Sequence, residues 1–112
     1  MVEIIFLLLC WHAVADYALQ STDMVYLKNP CSDDSNKISQ RGPWWWTMTA
    51  HCLINALGVA IIANILYSFV EFITHFIADT LKCKGKINAN TDQAIHILTK
   101  LFIGIHYSYL LG

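Results

Sequence analysis

A histidine and an aspartate stand four positions apart inside an apolar run at His75 and Asp79, and the pair recurs as His12 with Asp16 and, reversed, as Asp92 with His96. A fourth apolar stretch carries His51 with Asn55 at the same interval. On a helix that interval puts both side chains on one face, one turn apart. Polar groups repeated in this way within greasy segments demand helices whose polar faces meet, because each group would otherwise be stranded among apolar neighbours.

At 112 residues the chain is one domain, and with 56% hydrophobic and 13% charged residues it is too apolar for an ordinary soluble domain of that size. The expectation is an all-α, membrane-embedded four-helix up-and-down bundle. Its helices fall at about 2–20, 44–62, 65–82 and 91–111, with loops at about 21–43 and 83–90. The first segment is about long enough to span a bilayer. It begins with Glu3 and no basic residue, unlike a cleaved leader, although Ala13-Val14-Ala15 has the look of a cleavage site. Asn29-Pro30, Ser32 to Ser35 and Gly42-Pro43 interrupt the next stretch, leaving room for a short helix around Asp23 to Lys28. Trp44-Trp45-Trp46 after Pro43 then suits the headgroup layer at a helix start.

No proline occurs from Thr47 to Leu81, so one long helix is the competing reading. It would part His51 from His75 by about 36 Å at the α-helical rise. A turn near Ala63-Asn64 brings them to one depth, with Asn64 capping the third helix and Gly58 as the rival turn position. Asn90 or Thr91 is expected to cap a last helix from about Asp92 to Leu111.

Four alternating segments bring the three His/Asp pairs and His51 to one membrane face. Asp16, Asp79, Asp92 and His51 then form an outer layer, with His12, His75, His96 and Asn55 an inner one. Five of the seven Lys and Arg fall in the two loops on that face, and Lys82 borders one of them. By the positive-inside bias the loops are cytoplasmic, so the chain is a multi-pass inner-membrane protein with both termini outside and its polar site facing the cytoplasm.

Imidazole and carboxylate suit a divalent ion, zinc first, with manganese, iron or nickel as alternatives. The expected metal ligands are His12, Asp16, His75, Asp79 and His96, with Asp92, His51 and Lys82 as catalytic neighbours. The donors exceed one tetrahedral set, so either two ions are held or the surplus carboxylates orient histidines or act as base. Lys82 can neutralise Asp79, hold an anionic substrate or simply snorkel to the interface. Glu71, one turn deeper than His75, reads as an inner ligand or proton carrier, and Gln20 and Gln93 as supports. His106, with no carboxylate four positions away, reads as packing. Cys10, Cys31, Cys52 and Cys83 stand singly, which excludes a zinc ribbon and a disulfide framework. A phosphate loop, a Gly-x-Ser-x-Gly elbow and a nucleic-acid module are likewise absent from the sequence.

The ordered motifs HAVADYALQ at 12–20, His51, HFIADTLK at 75–82 and DQAIH at 92–96 resemble a family of small phage and bacterial membrane proteins catalogued as a domain of unknown function. That resemblance implies the four-helix membrane architecture. The histidines and aspartates at helix ends are also similar, more weakly, to bacterial membrane-bound metal-dependent hydrolases. The functional expectation is a metal-dependent hydrolase acting on a phosphoester or acyl substrate, such as an anionic lipid headgroup or nucleotide drawn in by the basic loops. One alternative is a non-enzymatic accessory membrane protein with a structural metal, modulating a host membrane or defence system. The other is an ion or proton conductor, against which the apolar far half of the helices speaks.

Overall fold

Asparagines, a proline and glycines punctuate the chain. In the computed structural model the described residues are 1–31 and 42–111, and among them every regular element is helical. Helix α1 covers Val2–Ala13. It does not continue to residue 20 in α form. Val14–Ala18 instead make a π-helical turn, closed by the Leu19 N–H donating to the Val14 carbonyl at 2.8 Å. Ser21 caps the short α2, Thr22–Leu27, by accepting from the Met24 N–H at 3.1 Å. Lys37, Arg41 and the serine-rich stretch of the expected loop lie outside the described residues.

Helix α3 is Trp44–Ile62, entered from Pro43, whose fixed φ suits a helix start. The expected break at Ala63-Asn64 is there. Asn64 caps α4, Ile65–Cys83, its side chain accepting from the Tyr67 N–H at 3.1 Å. Gly58 is not a turn but lies inside α3. A Cβ there would come 2.0 Å from the Trp11 ring, so the glycine makes room for an indole whose N–H reaches the Ile54 carbonyl at 3.0 Å.

Gly85, at φ +73°, ends α4. Its own N–H donates to the Lys82 carbonyl and the Lys86 N–H to that of Leu81, the Schellman pattern that a left-handed glycine permits. Helix α5, Ala89–Leu110, begins earlier than expected because Asn88, rather than Asn90 or Thr91, is the cap, accepting from the Thr91 N–H at 2.7 Å.

Helix α1 packs on α3 and α5, α3 on α4, and α4 on α5, so the four long helices close a ring, with α2 against α3. Neighbours run antiparallel: Ile5 near the start of α1 meets Gly104 near the end of α5, and Lys82 at the end of α4 meets Asp92 at the start of α5. One half of the ring is filled by Leu8, Val59, Tyr67 and Ile103. His106 belongs to that half, its Nδ1 2.6 Å from the Tyr67 hydroxyl, in the packing role expected of it.

The other half is filled by charge. Lys100, Glu71 and His51 are at most 1% exposed, while Ile61, Leu66, Phe69 and Leu98 on the outer faces are 61–73% exposed. Among the described residues one helix, α3, is long and apolar enough to cross a membrane. The expected first span falls short because its α-helix stops after 12 residues. The expected third and fourth carry Glu71, Asp79 and Lys82, and Asp92 and Lys100.

Candidate metal centre

Antiparallel packing brings the end of α1, the start of α3, the end of α4 and the start of α5 to one level. There the Nε2 atoms of His51 and His75 stand 3.0 Å apart. Asp16 Oδ1, carried by the π turn, is 3.3 Å from the first and 3.4 Å from the second. Asp79 Oδ2, one turn beyond His75, is 3.3 Å from His51 Nε2. In a tetrahedral zinc site with bonds of about 2.0–2.1 Å, neighbouring donors are about 3.3 Å apart. Four of the separations among these atoms therefore match the donor spacing of a coordination shell, and His51 Nε2 is the atom that meets the other three. Asp16 Oδ1 is buried and makes no aligned hydrogen bond despite two imidazole nitrogens in reach, which fits atoms that converge on a point between them.

Around this set the other side chains fix orientation. Glu71 Oε1 lies 3.2 Å from His75 Nδ1, so the imidazole can donate there and leave Nε2 free as a ligand. Lys100 Nζ donates to the same Glu71 oxygen at 2.6 Å. His96 stacks on His75 with ring centres 4.0 Å apart, and its Nε2 is 3.0 Å from Asp92 Oδ1. His96, Asp16 and His75 form a second triplet whose donor atoms all lie within 4.8 Å of one another, beside the triplet of His51, His75 and Asp79. His12 Nε2 is 2.9 Å from Gln93 Oε1 and 3.6 Å from Asp16 Oδ2.

The expected metal ligands His12, Asp16, His75, Asp79 and His96 and their neighbours Asp92, His51 and Lys82 thus lie in one cluster, though not in the expected layers. His51, expected as an outer neighbour, is at the centre of the four-donor set. Asn55 turns away, its side chain donating to the His51 carbonyl at 3.0 Å. Lys82 Nζ bridges Asp79 Oδ1 at 3.2 Å and Asp92 Oδ2 at 3.3 Å. At 31% its side chain is the most exposed of the ion-paired groups here. Gln20 donates to the Asp16 carbonyl and accepts from Lys28, and Gln93 reaches both His12 and Asp16, so the two glutamines do support the site.

Two lysines escaped the sequence reading. Lys28, assigned to a cytoplasmic loop, is 1% exposed and pairs with Asp79 Oδ2 at 2.5 Å, because α2 ends by turning its last residues under the bundle. Its position in a polar stretch gave no hint of burial. Lys100 did leave a signal, since it follows Asp92 and His96 at four-residue steps along one helical face.

The charges do not cancel. Four carboxylates, Asp16, Glu71, Asp79 and Asp92, meet three ammonium groups, Lys28, Lys82 and Lys100. Asp16 is the one that no lysine reaches, and its side chain faces only imidazoles and Gln93.

The chain belongs to the family described as a protein of unknown function, DUF3307, which matches residues 4–111. No curated protein and no solved structure matches it.

Proposed function

We propose that this chain is a membrane-embedded, metal-dependent hydrolase whose divalent ion is held by Asp16, His51, His75 and Asp79. The observation that carries the reading is that His51 Nε2 stands 3.0–3.3 Å from a donor of each of the other three residues, with Asp16 Oδ1 also 3.4 Å from His75 Nε2. A divalent cation would also supply the positive charge that Asp16 lacks. When bound, such an ion lowers the pKa of a coordinated water and polarises a phosphoryl or acyl oxygen.

The chain's own groups would handle the rest. Glu71 fixes the His75 tautomer, and the His96–Asp92 pair lies beside the ion. Lys82, the half-open ammonium at the rim, would draw an anionic headgroup or nucleotide, with Lys84 and Lys86 exposed just beyond it.

The membrane location rests on the reversed distribution of polarity. Ionisable side chains fill one half of the interior, while large apolar side chains cover the outer faces of all four long helices. Exposed apolar area on that scale suits lipid rather than water. With Lys28 buried, the basic residues that orient the chain among the described ones are Lys84 and Lys86, still on the face where the polar cluster lies.

The burial of the donors favours a second reading. His51, His75 and Asp79 are each 1% exposed, as expected of a closed structural ion in a non-enzymatic accessory protein. Metal analysis of the protein in nanodiscs, together with hydrolysis of a fluorescent phospholipid and of a nucleoside triphosphate, separates the two. Stoichiometric metal and turnover, both lost in His75→Ala, support the enzyme. Metal without turnover selects the structural role, and absence of metal from the wild type removes both.

A further inference from the structure

We infer that Asp16 is a bridging carboxylate between two divalent ions, the second held by its Oδ2 together with His12, His96 and Asp92. This rests on the metal reading above and extends it. The two oxygens of Asp16 serve different neighbours: Oδ1 faces His51 and His75 at 3.3 and 3.4 Å, whereas Oδ2 faces His12 Nε2 at 3.6 Å and Gln93 Nε2 at 3.4 Å.

The second side is furnished with buried groups whose contacts are ion pairs rather than aligned hydrogen bonds. His96 Nε2 and both oxygens of Asp92 are buried and make no aligned hydrogen bond, although both residues are only 1% exposed. Gln93 Oε1 is 2.9 Å from His12 Nε2, a spacing that fits two donors on one ion as well as it fits a hydrogen bond. Paired ions in hydrolytic sites stand about 3.5–4 Å apart, the separation that one carboxylate spans with its two oxygens.

Lys82 is the group that must yield. It holds Asp92 Oδ2 and Asp79 Oδ1, and its partial exposure lets it swing outward, whereas Lys28 and Lys100 are enclosed. Two ions with three lysines would leave the centre positively charged beyond what its four carboxylates balance. A hydroxide and a phosphomonoester dianion are the partners that complement such a surplus, which narrows the substrate class to phosphate esters. Two ions there can clamp both the attacking and the leaving oxygen.

The test loads the full-length protein in nanodiscs with Mn(II) and reads metal content by mass spectrometry and coupling by electron paramagnetic resonance. The expected result is two Mn(II) per chain with an exchange-coupled spectrum. His96→Ala should hold one Mn(II) with an isolated six-line spectrum, and Lys82→Gln should bind the weaker ion severalfold more tightly. Circular dichroism checks that His96→Ala keeps its helices, with Asp92→Asn as its substitute if it does not. One uncoupled Mn(II) in the wild type, unchanged by either variant, overturns the second ion and leaves the proposed function standing. No bound Mn(II), Zn(II) or Fe(II) in the wild type overturns both.

Discussion

Glu71 and His75 form a buried carboxylate–imidazole pair, Oε1 to Nδ1 at 3.2 Å, one helical turn apart on α4 and on the apolar side of the polar cluster. A carboxylate behind an imidazole sets which nitrogen carries the proton and how the ring points. Glu71→Gln is therefore expected to weaken divalent-metal affinity by about 10- to 100-fold. Competition titration against a chromophoric chelator measures it, and an affinity equal to wild type would show that Glu71 does not position the ligand.

Lys100 is fully buried and its ammonium meets Glu71 at 2.6 Å. Removing one partner of such a pair strands the other charge in a poorly solvating interior. Lys100→Met should destabilise the fold by about 3–5 kcal/mol, and Lys100→Met combined with Glu71→Gln should recover most of the loss. Unfolding of the four proteins of this cycle in mixed micelles gives the coupling directly. Additive losses would dissolve the pair.

Trp11 occupies the space that a side chain at Gly58 would need. Gly58→Ala forces the indole out of its seat and off the Ile54 carbonyl, at an expected cost of about 1–3 kcal/mol. Trp11→Leu should suppress much of the penalty of Gly58→Ala, because the smaller side chain leaves room for the methyl group. The same unfolding assay checks both, and a neutral Gly58→Ala would contradict the contact.

If lipid covers the outer faces, the protein should stay with membranes through an alkaline carbonate wash and be released by a non-ionic detergent. Trypsin should cut at the exposed Lys84 and Lys86 in inverted membrane vesicles and not in right-side-out ones. Cleavage from the opposite side would reverse the assigned orientation.

Much of this arrangement was legible in the order of the residues. Four-residue spacing is a local signature of a helical face, so the His/Asp pairs announced both the helices and their convergence. Asn64 was readable as a cap because its short side chain can accept from an N–H three residues on. The helix phases that decide which donor points where were not readable. His51 lies at the centre rather than the rim because phase depends on the packing of α3 against two neighbours, which no interval within one helix reveals. Lys28 was hidden for a similar reason: its burial comes from the path of α2, and a lysine in a polar stretch looks the same whether it faces water or Asp79. Gly58 stood as the rival turn position because a glycine that admits a neighbour's ring and a glycine that turns the chain are the same letter.

The π turn at Val14–Ala18 carries one last implication for how the site is kept in tune. Each residue advances an α-helix by about 100° of rotation, so relaxing the wider turn to ordinary α pitch would swing the Asp16 carboxylate around the axis and out of reach of His51 and His75. Such turns are rare and tend to sit at functional positions. Whatever occupies the centre would then act as a clasp on the winding of the first helix, and losing it would free the strand of turns near Asp16 to rewind.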